Sequence, residues 1–329
     1  MTEASPRRRM AIIPKLKGAQ TYGALAALIA LLLFNALFTP NFLTLQTLNV
    51  NLIQVTTIVI VAVGMTMVIA TGGIDLSVGS LMAIGGALAP LIFLSDLPLL
   101  SSPAIGVPLA IVLPILTAGL FGLFNGWLIT RFSIQPIIAT LVLFIAGRGI
   151  AQVMTNGNLQ TFSNDSFQFL GLGRVLGIPF QVLIMIAIVI AASWIMRRTV
   201  FGRQVLAIGG NEAAARLSGI PINRVKWAVY AIVGLLSGLA GLIVIAINSS
   251  SDANQIGLGM ELDAIAAVVV GGTALTGGKA TIVGTLIGAL IIQFVGYTLL
   301  AHGIPDAAAL VVKAGIILLA VYVQRRDAP

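Results

Sequence analysis

The chain has 329 residues, of which 58% are hydrophobic and only 9% charged, with a mean hydropathy of +1.08. Soluble domains are about a quarter charged, and no soluble core could hide this much apolar surface, so the composition belongs to the membrane class. The absence of cysteine excludes disulfides and thiolate metal sites. The single histidine, His302, cannot make a metal cluster and reads as a solvent-facing turn residue ahead of Gly303 and Pro305.

In chain order, Met1 to Gln20 carries Arg7, Arg8, Arg9, Lys15 and Lys17. No small-residue cleavage site follows and the next apolar run is long, so residues 1–19 read as a retained cytosolic segment rather than a signal peptide. Apolar segments then lie at 20–38, 51–71, 76–94, 106–130, 134–154, 180–196, 227–247, 260–275, 281–300 and 307–324. A bilayer core takes about twenty apolar residues as helix, which predicts an all-α polytopic membrane protein of about ten transmembrane helices over 20–325. A short tail is left at 326–329. The segments 180–196 and 260–275 are at or below the length limit, and 260–275 reads as a broken or re-entrant element.

Between the second and third segments, Gly72-Gly73-Ile74-Asp75 permits a tight break. Asp75 either caps a helix starting at Leu76 or stands near the inner mouth of a path as a gating or hydroxyl-binding carboxylate. Glycines cluster inside the segments, among them Gly119 with Gly122 and Gly284 with Gly288, and read as close helix packing. Asn125 and Thr140 read as the polar lining of a central cavity. Arg148, between Gly147 and Gly149, reads as snorkelling outward. The outer loop 155–178 carries Phe162, Phe167, Phe169 and Leu170 among polar residues. It reads as a docking face with a polar rim or as a short helix lying at the membrane surface.

The loop 197–226 is the main soluble-looking stretch. Within it Asn211 is an N-cap, Glu212 suits the helix dipole and pairs with Arg216 at i,i+4, and Gly219 with Pro221 ends the turn. Ala213, Ala214 and Ala215 leave one face of this short helix with little bulk, suited to a partner's groove. Further on, Glu261 and Asp263 open the short segment 260–275. Residues at i and i+2 diverge on a helix, so they are not an acid/base pair. They cap the broken helix, pair with Lys313 or Arg148, or act as a gate. Gly277-Gly278-Lys279-Ala280-Thr281 is not a phosphate loop, because that pattern needs Gly at 273 and Ser or Thr at 280, where Thr273 and Ala280 stand.

The charges test the layout. With the N-terminus in the cytosol, inner segments hold 15 of the 18 basic residues: the five near the start, Arg131, Arg197, Arg198, Arg203, Arg216, Arg224, Lys226, Lys279, Arg325 and Arg326. The outer loops hold only Arg174, and Arg148 and Lys313 fall within segments. This asymmetry argues for both termini in the cytosol and for basic residues that contact lipid headgroups rather than nucleic acid.

Glu212-Ala213-Ala214 with Gly219-Ile220-Pro221 resembles the cytoplasmic loop of ATP-binding-cassette importer permeases. Thr71-Gly72-Gly73-Ile74-Asp75-Leu76-Ser77-Val78-Gly79-Ser80 resembles the ribose, xylose and galactofuranose branch of that family, and so does Glu261-Leu262-Asp263-Ala264-Ile265-Ala266 running on to Gly271-Gly272-Thr273. Ser251-Asp252-Ala253-Asn254 looks most like the galactofuranose-type members. The likeness runs from about residue 20 to 325.

It implies a sugar-import permease of the bacterial inner membrane, with no catalysis and no cofactor on this chain. ATP and Mg would bind a partner ATPase, docked on a coupling helix of Asn211, Glu212, Ala213, Ala214, Arg216, Leu217 and Gly219. It also implies a periplasmic sugar-binding protein and a second permease copy or sister permease. Path candidates are Asp75, Asn125, Thr140, Glu261 and Asp263. Two other readings stay open from the residues themselves. One is an ion-coupled secondary transporter with Asp75, Glu261 or Asp263 as coupling carboxylate; the other is a non-transporting membrane receptor.

Overall fold

The structure, a computed structural model, describes residues 19–95, 97, 100 and 102–326. Arg7, Arg8, Arg9, Lys15 and Lys17 and most of the expected tail lie outside the described residues. Thirteen described helices follow in order: α1 (Ala19–Phe38), α2 (Leu45–Ala70), α3 (Val78–Phe93), α4 (Pro103–Phe132), α5 (Pro136–Met154), α6 (Asp165–Leu172), α7 (Phe180–Arg198), α8 (Val200–Gly210), α9 (Glu212–Leu217), α10 (Ile222–Asn248), α11 (Met260–Val270), α12 (Ile282–Ala301) and α13 (Asp306–Arg326). Short strands β1 (Gln160–Thr161), β2 (Arg174–Val175), β3 (Ile178–Pro179) and β4 (Ser250–Ser251) punctuate them.

Each of the ten apolar segments falls on a helix. Six helices, α2, α4, α5, α7, α10 and α12, are long and apolar enough to cross a membrane, and α1, α3 and α13 carry shorter apolar stretches. The segment 260–275 is broken, as its reading as a broken or re-entrant element anticipated. Its helix α11 stops at Val270 because Gly271 and Gly272 follow, the latter at φ +88°. At 1.5 Å per residue α11 spans about 16 Å, well short of a bilayer core of about 30 Å, so it cannot cross alone.

The core forms around α2. Every residue from Val55 to Thr71 is buried, as expected of a helix apolar on all faces. The longest neighbour, α10, lies against α2, α3 and α4, while α11 and α12 cover another side of α2 and α1 packs on α12. The expected glycine packing is present: a Cβ on Gly234 would strike the Ala118 carbonyl of α4, and one on Gly241 the Met82 carbonyl of α3. Local signals set the helix ends. Thr44 caps α2 by accepting from the Thr47 amide, prolines open α4 and α5, and Ser133 closes α4 in the left-handed region.

The loop 155–178 differs from the expectation of exposed aromatics. It contains α6, capped by Asn164, as the surface-helix reading anticipated. Phe162, Phe167 and Leu170, however, are buried. Phe93 of α3 meets Phe167 at 4.7 Å and Phe162 at 5.6 Å between ring centres, and such pairs add about 0.5–1.5 kcal/mol beyond area burial. Only Phe169 stays exposed. Strand β1 pairs antiparallel with β4, which follows α10, and Gly171 lets α6 rest on the α10 backbone near Ala246 and Ile247. The hairpin β2–β3 turns at Leu176-Gly177, both at positive φ, and leaves Leu176 98% exposed at its tip.

Candidate functional site

The stretch 199–221 folds as two short helices. Thr199 caps α8, whose Val205 and Ile208 are buried against the core. Asn211 ends α8 in extended geometry and caps α9, its Oδ1 accepting from the Ala214 amide at 2.9 Å. Gly219 closes α9 at φ +77°. The expected Glu212–Arg216 pair is present at 3.4 Å, but a second partner is closer: Lys226 of α10 donates to Glu212 at 2.7 Å. Glu212 therefore ties α9 to α10. Ala215 is buried beneath α9, while Ala214, Arg216 and Leu217 face out, Leu217 at 90% exposure.

The Lys226 hydrogen bond holds the Glu212 carboxyl below its ordinary value of 4.5. A depressed carboxylate stabilises the fold fully above its unfolded pKa, and that stabilisation is lost as pH falls through the lower folded value. The melting difference between wild type and Glu212→Gln should therefore hold from about pH 8 to about pH 5 and vanish in stronger acid. A pH-independent difference would show that the charge is immaterial.

Directly before Asn211 lies a junction of three backbones. Gly209 of α8 sits so close to the end of α2 that a Cβ there would overlap the Ala70 carbonyl and lie 2.5 Å from the Gly278 amide nitrogen. Gly278 in turn donates its amide to the Ala70 carbonyl at 3.0 Å. Gly277 and Gly278 both hold positive φ, which lets the loop after α11 approach this closely. The break at Gly72 and the Gly277-Gly278 turn after α11 thus meet at the root of the short helix α9. Sequence reasoning missed this clasp. Its glycine pairs were visible as breaks, but their meeting is a long-range fact.

The path candidates resolve differently. The helix expected at Leu76 begins at Val78. Asp75 is not its cap; its Oδ1 accepts from the Ser77 amide at 2.8 Å and the Ser77 hydroxyl at 2.6 Å, closing a turn ahead of the helix. Asn125 donates to Ser77 Oγ at 2.9 Å, and Thr140 accepts from the Leu76 amide at 3.1 Å. Asp75, Asn125 and Thr140 are all fully buried. In this structure Thr140 binds backbone of the α2–α3 break and Asn125 binds the Ser77 hydroxyl beside it, so both groups serve to hold the break together. Tyr230 of α10 brings its hydroxyl against Gly73 at the same place.

Glu261 and Asp263 part company, as i and i+2 positions should. Asp263 pairs with Lys313 of α13 at 2.8 Å, one of the two partners foreseen. Glu261 lies over Gly79 of α3, where a Cβ would stand 2.6 Å from its Oε2. Arg148 does not snorkel outward. It turns back to donate to the Ala253 carbonyl at 2.9 Å and to the Ile256 carbonyl, fastening the turn ahead of α11. Its neighbour Gly147 provides close contact with Ser80 rather than room for the arginine.

Both members of the Asp263–Lys313 pair are about four-fifths buried. Removing one partner of a buried pair strands a charge at a cost of about 3–5 kcal/mol. We expect Lys313→Met to lower the melting point clearly and Asp263→Asn combined with Lys313→Met to recover much of it. A double-mutant cycle in thermal unfolding checks this, and additive losses would show no coupling.

The described geometry is that of a helical membrane core with a short capped helix tied to two broken spans. Comparison with known proteins decides what such a chain is. Residues 47–321 match the family described as the branched-chain amino acid transport system / permease component. The chain belongs to this permease family. Among its relatives, the ribose import permease protein of Escherichia coli (strain K12) is 44% identical over 308 residues, covering 92% of this chain and 93% of the relative. The galactofuranose transporter permease protein of the same strain is 37% identical over 310 residues, covering 91% and 88%. The L-arabinose ABC transporter permease protein of Azospirillum brasilense is 37% identical over 286 residues, covering 87% and 82%. No solved structure matches the chain. The expected family is thus found, and the galactofuranose-type likeness is one of several to sugar permeases within it.

Proposed function

We propose that this chain is the membrane-spanning permease of an ATP-binding-cassette importer that carries a neutral monosaccharide across the bacterial inner membrane. The observation that carries this reading is the identity of 44% with a ribose import permease over nine-tenths of both chains, alongside arabinose and galactofuranose permeases at 37%. In this reading the chain crosses about ten times with both termini in the cytosol, as its charge asymmetry supports. ATP and Mg bind a separate ATPase, which docks on α9 through Ala213, Ala214, Arg216 and the exposed Leu217. A sugar-binding protein docks on the outer cap of α6 and the Leu176 hairpin, and a second permease copy or sister completes the path. The protein catalyses no covalent step. Its work is to convert closure of the ATPases into a change of access, through α9 and the Gly209 clasp.

Proteoliposomes containing this permease with the ATPase, binding protein and any sister permease from the same locus test the reading. Uptake of a labelled pentose or hexose that requires ATP supports it. Uptake without ATP that follows a proton or sodium gradient overturns it in favour of an ion-coupled carrier.

A further inference from the structure

On most spans the exposed face is purely apolar, as lipid requires: Leu113, Leu116 and Leu120 on α4, or Val142 and Ile145 on α5. The face shared by α2 and α12 departs from this. Gln54 is exposed there, and Gln293 of α12 is half-buried beside it. At 1.5 Å per residue Gln54 stands about 14 Å from the Leu45 end of α2, and Gln293 about 12 Å from the Ala301 end of α12. Gln293 therefore lies deep within its span and Gln54 three residues into the apolar segment 51–71, where an exposed polar group is costly and usually functional.

The surface also changes character at this depth. Gln54 is the last exposed residue of α2, because the helix is enclosed from Val55 onward. The accessible face of α2 thus ends on an amide. Gly296, one turn beyond Gln293, has open space where a side chain would be.

The hydrogen bonds fix how the amides are turned. Asn51 donates to the Thr47 carbonyl at 2.9 Å, which leaves its Oδ1 to accept from Gln293 at 3.2 Å. Gln293 donates from the same nitrogen to Gln54 Oε1 at 2.7 Å. Left over are the Gln54 amide nitrogen, with two donors, and Gln293 Oε1, an acceptor. A donor and an acceptor side by side match two neighbouring hydroxyls of one ligand. Neither α2 nor α12 carries an Asp, Glu, Lys, Arg or His, so nothing there favours a charged ligand.

We propose that Gln54 and Gln293, oriented by Asn51, form a binding station for a neutral polyhydroxylated ligand along the transport path. The proposal rests on the importer reading and places the cargo contact on α2 and α12 instead of at Asp75, Asn125 and Thr140. The alternative role for such amides is glue between the two helices.

The test uses the reconstituted complex with Gln54→Met and Gln293→Met, which keep side-chain length. The readout is the ratio of ATP-driven uptake of two monosaccharides that differ at one hydroxyl, a quantity independent of how much protein has folded. Loss of a hydrogen bond to one hydroxyl, at about 1–3 kcal/mol, should change the ratio by roughly five-fold or more in at least one variant. Uptake in the wild type with an unchanged ratio in both variants, whatever happens to the melting point, overturns the station and leaves the glue role. A wild type that takes up no monosaccharide with ATP overturns the importer reading and the station together.

Discussion

Gly209→Ala should cut ATP-driven uptake at least ten-fold, whereas Gly210→Ala, one residue on, should leave it near wild type. The two glycines are neighbours on α8, yet a Cβ at 210 meets open space while one at 209 meets the Ala70 carbonyl and the Gly278 amide. Backbone atoms cannot swing aside as a side chain can, so the added methyl must separate α8, the end of α2 and the loop after α11. Overpacking of this kind costs about 1–3 kcal/mol, enough to open the Gly278–Ala70 hydrogen bond on which the clasp depends. Uptake and ATP hydrolysis measured on the same vesicles separate coupling from assembly. Hydrolysis should persist in Gly209→Ala while transport fails. Equal tolerance at both positions would show that the clasp transmits nothing.

Glu212→Lys should be nearly as severe. The wild-type carboxylate sits between Lys226 at 2.7 Å and Arg216 at 3.4 Å. A lysine there replaces two attractions by two like-charge contacts, which frees α9 from α10. The exposed Arg216 pair is worth about 0.2–1 kcal/mol, and Glu212 keeps access to water at the other, part-buried pair, so the fold should survive the change. The loss should appear in ATPase co-purification and in uptake. Exchanging the charges, Glu212→Lys with Lys226→Glu, should restore part of both. No rescue would mean that Glu212 serves the ATPase directly instead of anchoring α9.

The residues themselves made the helical membrane core legible, because α2, α4, α10 and α12 are long apolar runs with little competing signal. The capped helix α9 was legible too, since Asn211, Glu212, Arg216 and Gly219 act within one turn of each other. What local pattern could not carry was distance along the chain. Nothing near Glu212 announces Lys226, and nothing near Gly209 announces Ala70 or Gly278. Polarity was an incomplete guide for a related reason. Asn125 and Thr140 were read as lining a cavity because they are polar within apolar spans, and no local signal showed that Thr140 would meet the Leu76 amide or Asn125 the Ser77 hydroxyl. Phe162 and Phe167 were read as exposed because their loop is polar, but Phe93 of a distant helix covers them. Arg148 was assigned to the surface although free carbonyls at 253 and 256 lay within its reach.

One feature of α10 reaches beyond any single site. At its start Lys226 holds α9, and at its end Ala246, Ile247 and strand β4 hold α6 and β1. At 1.5 Å per residue this helix is about 40 Å long, long enough to reach from one face of a bilayer to the other. Linkage is reciprocal: a partner that shifts this helix from its α6 end changes the affinity of a partner at α9 by the same factor that the second imposes on the first. On the proposed function, partners at the two ends would then sense each other without meeting, and the chain would carry free energy between them as well as cargo.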